Sequence, residues 1–260
     1  MSIRFDCFKT RVLHPRVKHF DSVGSTNIEV KNLFMQGEGE GLIVIATTQT
    51  AGRGRKGRTW LSPIGGLYFS LILRPRLGIE SAPLLGLLSG CAIVRSLASI
   101  GVENVRLKWP NDVLIGEKKI AGILSEVVST SDSSIGIIIG IGVNQNCPIS
   151  KMPSGLLWPA TSIFDEIGVE TSVEALLCSI INEIDELLQT VETESSFDAI
   201  LDEWRKDSST LGTKVRIQEE DSTIEGIAKD ITKDGALVVE TKEGLRNVVE
   251  GDVFHLRSLE

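Results

Sequence analysis

A glycine- and arginine-rich segment, QTAGRGRKGRTW, occupies residues 49–60 and follows an apolar run that predicts a buried strand. Its glycines fit the G-x-G-x-x-G pattern of dinucleotide-binding loops, and Arg58 stands where a phosphate-binding P-loop carries its lysine. Both of those sites require a helix directly after the loop, because the helix N-terminus holds the phosphates. Pro63 and the Gly65-Gly66 pair argue against a long helix, so both interpretations are disfavoured.

Four positive charges lie close together in this segment, at Arg53, Arg55, Lys56 and Arg58. A solvated basic turn is the alternative interpretation. However, like charges repel one another, and a chain with 27 Lys and Arg against 35 Asp and Glu has little structural reason to cluster its cations. Arginine binds phosphate and carboxylate groups through two parallel hydrogen bonds. The segment therefore predicts an anion-binding loop, and its glycines let the backbone approach the ligand closely.

Three further motifs follow: KWPND at 108–112, KIAGIL at 119–124 and GIGVN at 140–144. The first ends in a polar turn whose carboxylate suits Mg²⁺, although an Asx turn that only joins two strands fits as well. In the second motif, Gly122 leaves room for a ligand beside Lys119, although an edge lysine often only extends into solvent. Each motif alone is weak.

The predicted elements indicate an α+β fold. Strands are expected at 41–46, 67–73, 105–109, 113–115, 118–127 and 135–143, and helices after a capping box at Thr26–Glu29, at 83–100, at 173–191 and around 197–204. Residues before 20 are expected to be extended. From Lys214 onward, short strands separated by turns predict a small β-barrel. We therefore expect two domains, residues 1–211 and 212–260.

Composition excludes several classes of protein. A net charge of −8 argues against broad, non-specific binding of DNA. Four widely spaced cysteines argue against a disulfide framework and a zinc site. The N-terminus lacks the apolar run of a signal peptide, and the nine-residue apolar run at 135–143 is short of the roughly 20 residues that span a bilayer. We expect a cytoplasmic protein that binds neither membrane nor DNA.

In this order the motifs resemble one family, the biotin protein ligases (biotin–[acetyl-CoA-carboxylase] ligases). The resemblance is carried by Ser25-Thr26-Asn27, by Gln49 with GRGRKGRTW at 52–60, and by the three later motifs. It extends from about residue 20 to the end of the chain. It implies a mixed β-sheet flanked by helices, similar to the catalytic domain of class II synthetases, with a small C-terminal SH3-like β-barrel.

The resemblance also implies a reaction in two steps. ATP and biotin first form biotinoyl-5′-AMP and pyrophosphate, with Mg²⁺ as the metal ion. A lysine of a biotin carboxyl carrier protein, or of the carrier domain of a carboxylase, then attacks the mixed anhydride. Dense positive charge suits this reaction because a carboxylate and a triphosphate must come together.

The family's site residues carry over by position. The biotin-binding residues would be Ser25, Thr26, Asn27, Gln49, Arg53, Gly54, Arg55, Lys119 and Gly122. The ATP-binding residues would be Arg55, Arg58, Trp60, Lys108, Asn111, Asp112 and Asn144. Lys119 and Arg55 would be the catalytic residues, and Asp112 is a candidate Mg²⁺ ligand.

Several alternatives remain open. Only a short stretch precedes Ser25, so we expect the short type of ligase without the DNA-binding domain of repressor-type members. A homodimer is expected by analogy. The competing hypotheses are a lipoate protein ligase, a non-catalytic biotin or nucleotide sensor, and an interaction module limited to the barrel. Repulsion among its cations predicts that the arginine-rich loop is mobile before biotin binds.

Overall fold

The structure is a computed structural model that describes residues 7–74, 78–130, 134–151, 159–219 and 222–256. The start of the expected N-terminal extension and the end of the last expected strand lie outside the described residues.

A seven-stranded mixed sheet forms the centre of the larger domain. Its strands are β1 (Arg16–Val23), β2 (Leu42–Gln49), β3 (Leu67–Leu73), β4 (Val105–Lys108), β5 (Asp112–Ile115), β6 (Lys118–Ser129) and β7 (Ile135–Val143). They are ordered β1-β2-β3-β7-β6-β5-β4, with β1 parallel to β2 and all other neighbours antiparallel. The predicted strands are confirmed, two of them with the predicted bounds.

Helices cover both faces of this sheet. They are α1 (Thr26–Met35), α2 (Ala82–Ser99), α3 (Ile163–Ile167), α4 (Val173–Glu194) and α5 (Asp198–Asp207). α2 packs against the sheet on one face and against α4 and α5 on its outer side. α1 lies on the opposite face and buries Val30 and Phe34 there. The mixed sheet flanked by helices is thus confirmed, whereas α3 was not predicted because five residues are too short to show a helical period.

The N-terminus of α1 differs from the prediction. Ser25, not Thr26, is the N-cap residue, and it makes no side-chain capping bond. The capping box predicted at Thr26–Glu29 is therefore wrong. The reason is that the Thr26 hydroxyl bonds to Gln49 and Ser70 of neighbouring strands instead of capping the helix.

The C-terminal residues form a second sheet. Its strands are β8 (Lys214–Gln218), β9 (Thr223–Ile231), β10 (Leu237–Thr241), β11 (Gly244–Val248) and β12 (Asp252–His255). They are antiparallel in the order β11-β10-β9-β8-β12, and the described hydrogen bonds do not join β11 to β12. The small C-terminal β-domain is thereby confirmed as five strands.

The two sheets share one hydrophobic core. Trp109, at the end of β4, is almost fully buried, and its indole N–H donates to the carbonyl of Gly235 at 2.9 Å. A single cluster of buried side chains includes both Leu107 and Val253. α5 ends at Asp207 and β8 begins at Lys214, so the boundary placed at 211 and 212 stays a prediction.

Residues 7–13, here called the N-terminal segment, lie along α4. The buried Asp185 carboxylate accepts three backbone N–H groups of this segment, from Arg11, Val12 and Leu13, at 2.7, 2.9 and 2.6 Å. Cys7 and Cys178 form a disulfide at the start of the same contact. The spacing of the cysteines argued against a framework of several disulfides, and a single disulfide does not contradict that. The spacing did not predict that Cys7 and Cys178 would pair.

Among the described residues, one helix, Ile79–Ser99, is long and apolar enough to cross a membrane. Because 78% of its most apolar window is buried inside the protein, its hydrophobicity is accounted for by the core.

Candidate active site

A cavity of about 200 Å³ opens between the seven-stranded sheet, the arginine-rich loop and β12. All fifteen residues that the sequence predicted for the site line this cavity. They are Ser25, Thr26, Asn27, Gln49, Arg53, Gly54, Arg55, Arg58, Trp60, Lys108, Asn111, Asp112, Lys119, Gly122 and Asn144. Residues from five separate stretches of chain therefore meet in one place.

The floor of the cavity is made of glycine. Gly122 of β6 and Gly142 of β7 are paired in register, and the Trp60 indole lies directly over them. A Cβ atom added at Gly142 would lie 2.5 Å from Trp60 Nε1, and one at Gly122 would lie 2.9 Å from Trp60 Cζ3. Only glycine lets the indole approach the sheet so closely. Trp60 Nε1 is buried, and no described residue accepts its hydrogen.

A chain of polar side chains forms one end of the cavity. Gln49 Oε1 accepts from the backbone N–H and the hydroxyl of Thr26, at 2.8 and 3.1 Å. The fully buried Ser70 hydroxyl lies 2.8 Å from Thr26 Oγ1 and 2.6 Å from Asn27 Oδ1. These bonds fix the rotamers of Thr26 and Asn27 and aim them into the cavity.

The amide of Asn27 is held on both sides. Its Nδ2 donates to Glu126 at 2.7 Å, and the other oxygen of that carboxylate pairs with Arg53 Nη1 at 3.1 Å. The Glu126 carboxylate thereby links the arginine-rich loop to the polar end of the cavity.

Lys119 lines one end of the cavity. Its ammonium lies 2.5 Å from Asp112 Oδ1 and 5.1 Å from the centre of the Trp60 ring. Lys108 lies at the same end, and burial, with a smaller contribution from Lys119, lowers its pKa. Two lysines around one carboxylate leave this end of the cavity net positive, which suits an anionic ligand.

The arginine-rich loop is closed over the cavity and its cations are paired. Arg53 pairs with Glu126, and Arg58 Nη2 bonds to Asp252 Oδ1. Arg55 Nη1 donates to Asn111 Oδ1 at 3.5 Å, and burial lowers the pKa of its guanidinium. The charges of Arg53, Lys56 and Arg58 are thus paired with carboxylates distant in sequence, so repulsion among unpaired cations is the wrong premise. Mobility of the loop before biotin binds stays a prediction.

Asn144 has a structural contact that the sequence did not indicate. Its Nδ2 donates to the carbonyl oxygens of Thr161 at 3.0 Å and Lys119 at 3.3 Å. These bonds tie the end of β7 to the start of β6. Asn144 thus lines the cavity while fixing the backbone of Lys119.

Comparison with known proteins decides the family. Residues 20–144 match the family described as "Biotin/lipoate A/B protein ligase family", and residues 210–256 match the "Biotin protein ligase C terminal domain". The "bifunctional ligase/repressor BirA" of Bacillus subtilis is 33% identical over 252 residues, which cover 96% of this chain and 77% of that protein. The chain belongs to the biotin protein ligase family.

Other members of the family are similar over most of their length. The "biotin–[acetyl-CoA-carboxylase] ligase" of Mycobacterium tuberculosis is 31% identical over 247 residues, covering 90% of this chain and 86% of that one. The structure titled "Biotin protein ligase from Aquifex aeolicus in complex with biotin and ATP" has a TM-score of 0.80 at 30% identity. It covers 94% of this chain and 99% of its own. This chain is therefore a ligase that uses ATP to attach biotin to a protein.

A biotin protein ligase is expected to use Mg²⁺ with ATP, and the residues present fit that role. The described residues hold no group of three or more His, Cys, Asp or Glu that could bind a metal ion alone. Mg²⁺ in nucleotide sites is commonly held by one or two carboxylates and completed by phosphates and water. Asp112 at the cavity wall can supply that single carboxylate, with the phosphates supplying the rest.

Sequence analysis missed several residues of this ligase site. Ser70, Glu126, Gly142 and Asp252 all touch residues of the predicted site. Gly142 lies within the GIGVN motif, but of that motif only Asn144 was assigned to the site. Ser70, Glu126 and Asp252 lie outside the motifs, so only the folded chain reveals them.

Proposed function

We propose that this cavity activates biotin as biotinoyl-5′-AMP and then passes the biotinoyl group to a lysine of a biotin carboxyl carrier protein or carrier domain. The observation that carries the proposal is Lys119. Its ammonium pairs with the Asp112 carboxylate, and Lys119 lines the same cavity as Thr26, Asn27 and the cationic loop. A cation at that position is next to both groups that must react.

The polar end suits the ring of biotin. Thr26, Asn27 and Gln49 offer hydroxyl and amide groups that bond to a cyclic urea in both directions, as donors and as acceptors. Beside them, the Trp60 indole that packs on Gly122 and Gly142 offers an apolar surface for the body of biotin. The carboxylate of biotin would then point along the floor toward Lys119.

The cationic end suits the triphosphate of ATP. Arg55, Arg58 and Lys108 surround this part of the cavity. In the first step, a carboxylate oxygen of biotin bonds to the α-phosphorus, and the bond from that phosphorus to pyrophosphate breaks. Lys119 and the arginines stabilise the charge that develops on the phosphate oxygens. Bound Mg²⁺ would neutralise the phosphates, with Asp112 as its protein ligand.

The second step needs only an amine. The neutral ε-amino group of the acceptor lysine attacks the acyl carbon, an amide bond forms, and AMP leaves with the bonding electrons. The proton lost by the amine passes to solvent or to the departing phosphate. The closed loop, which contains Arg53 and Arg55, would keep water from the mixed anhydride until the acceptor arrives.

The test is an incubation of the protein with biotin, MgATP and a biotin carrier domain, followed by intact-mass measurement of the carrier. We expect a gain of one biotin on the carrier and none without ATP. Lipoate in place of biotin should leave the carrier unmodified. Lys119→Ala should slow the gain about 10²- to 10³-fold. Lys118→Ala is the matched control, because Lys118 is the exposed neighbour on the same strand. An unmodified carrier with the wild-type protein would refute the proposal.

The role of loop closure has its own test. Arg55→Gly removes the contacts to Asn111 and to the carbonyl of Gly251. We expect this variant to release biotinoyl-5′-AMP faster and to label lysines of bystander proteins such as serum albumin. Unchanged adenylate retention and unchanged selectivity would show that Arg55 does not hold the loop shut.

Three further properties rest on the resemblance. A homodimer is tested by sedimentation velocity with and without biotin and MgATP. The lack of operator binding is tested by a DNA mobility-shift assay, and location in the cytoplasm by cell fractionation. Each stays a prediction.

A further inference from the structure

The arginine-rich loop rests on the C-terminal sheet. Lys56 Nζ donates to the carbonyl of Gln218, at the end of β8, and Arg55 Nη1 donates to the carbonyl of Gly251, just before β12, both at 3.3 Å. These two acceptors are adjacent because Gln218 pairs with Asp252, the first residue of β12. One corner of the second domain thus contacts the loop.

Asp252 is the charged acceptor at this corner. Its Oδ1 pairs with Arg58 Nη2, and its Oδ2 lies 3.9 Å from Lys56 Nζ, so each carboxylate oxygen faces a different cation of the loop. The carboxylate is only 24% exposed, and Asp252 itself lines the cavity. A partly shielded carboxylate between two cations interacts more strongly than a pair in open water.

The closed loop has a backbone that needs such support. Lys56 has a φ of +53°, and Gly57 follows with a φ of +71°. A left-handed conformation is unfavourable for lysine, and it persists only where surrounding contacts hold it. The turn Arg55–Gly57 contributes no residue to the hydrophobic core. Its side chains are held by polar contacts instead, from Arg55 to Asn111 and from Arg55 and Lys56 to the C-terminal sheet.

We propose that Asp252 is a positioning residue that holds the arginine-rich loop closed over the cavity. The proposal rests on the proposed function for its effect on the adenylate. Asp252 does not touch the reacting atoms in this scheme. It acts through Arg58 and Lys56, by keeping their loop in the conformation that covers biotin and ATP.

The first arm of the test needs no ligand. Trypsin cleaves after arginine and lysine, and the loop contains four such residues that the closed conformation protects. Asp252→Asn keeps the size of the side chain but removes its charge. We expect the rate of cleavage within residues 53–58 to rise about fivefold, the effect of losing roughly 1 kcal/mol of ion pairing. Asp252→Glu should restore protection.

The second arm measures the reaction. In Asp252→Asn we expect the KM for ATP and the rate of biotinoyl-5′-AMP release to rise about fivefold, with kcat within a factor of two of wild type. Glu225→Gln is the matched control, since it removes an equal charge from the same sheet, where Glu225 pairs with Arg216 at 2.7 Å. Its cleavage, KM and adenylate retention should equal those of wild type. Thermal unfolding of each variant checks that it is folded.

The outcomes separate the two proposals. If wild-type protein forms no adenylate, the proposed function fails, while the trypsin arm still reports on the loop. If Asp252→Asn is cleaved at the wild-type rate, the positioning role is refuted. If Asp252→Asn is cleaved faster but releases the adenylate at the wild-type rate, the role is also refuted, because the position of the loop then has no effect on the reaction. A lower KM for ATP in Asp252→Asn refutes it as well, because Asp252 would then oppose the binding of ATP.

Discussion

Substitution Gly142→Ala tests the glycine floor with one methyl group. The added Cβ atom would lie 2.5, 2.6 and 3.0 Å from three atoms of the Trp60 indole. Ordinary contacts between carbon atoms are about 3.5–4.0 Å. The indole must therefore move by about 1 Å, away from the sheet and into the space where we place the ligand. Moving a packed ring in this way typically costs about 1–3 kcal/mol.

That cost should appear in binding more than in folding. Gly142 lies within β7 and has no positive φ, so alanine suits its backbone. Replacing glycine by alanine inside a strand also gains about 0.5–1 kcal/mol of conformational entropy. We expect the Kd for biotin to rise about 5- to 150-fold. The free energy of unfolding should fall by no more than about 2.5 kcal/mol, because the entropy gain partly offsets the cost of moving the indole.

The assay is isothermal titration calorimetry with biotin, alone and with a non-hydrolysable ATP analogue, together with urea unfolding. Gly39→Ala is the matched control, because a Cβ atom there meets nothing within 4 Å and the residue has no positive φ. The control should bind biotin like wild type. Wild-type affinity in Gly142→Ala would refute the assignment of the floor as the biotin site.

Three further predictions follow. Lys119→Ala should lower kcat for pyrophosphate release about 10²- to 10³-fold with the fold intact, and near-normal release would mean that its role is misassigned. Asp185→Ala leaves three backbone N–H groups of the N-terminal segment without an acceptor and should lower the free energy of unfolding by about 3 kcal/mol in urea titrations. The control Glu194→Ala, at an exposed position, should change it very little. Burial, with a smaller contribution from Lys108, lowers the pKa of His255 below its usual 6.5. As the pH falls, the imidazole is therefore protonated in the unfolded chain before it is protonated in the folded one, so the free energy of unfolding should fall below about pH 6.5. The slope of that free energy against pH should be smaller in His255→Gln, and equal slopes in the two proteins would contradict the prediction.

The sequence by itself determined the element order and the chemistry of the site. Apolar runs predicted β3 and β7 with their bounds, since all residues of β3 and most residues of β7 are buried. The arginine-rich loop was predicted to bind anions because clustered cations have few structural uses in an acidic chain. The roles of Lys119 and Asp112 were assigned only through the resemblance to the family. The sequence did not predict short elements such as α3, which has only five residues. It also did not show whether the Thr26 hydroxyl would cap the helix or bond to a residue of a neighbouring strand.

Only the tertiary structure decided how these groups are held. Glu126 is 73 residues after Arg53, and Asp252 is 194 residues after Arg58, yet both carboxylates pair with the loop. No local pattern encodes such pairs, because they depend on which strands lie side by side and on how the second sheet packs against the first. A sequence shows where charge is concentrated, whereas the partner that neutralises and orients it is set by the packing of distant segments.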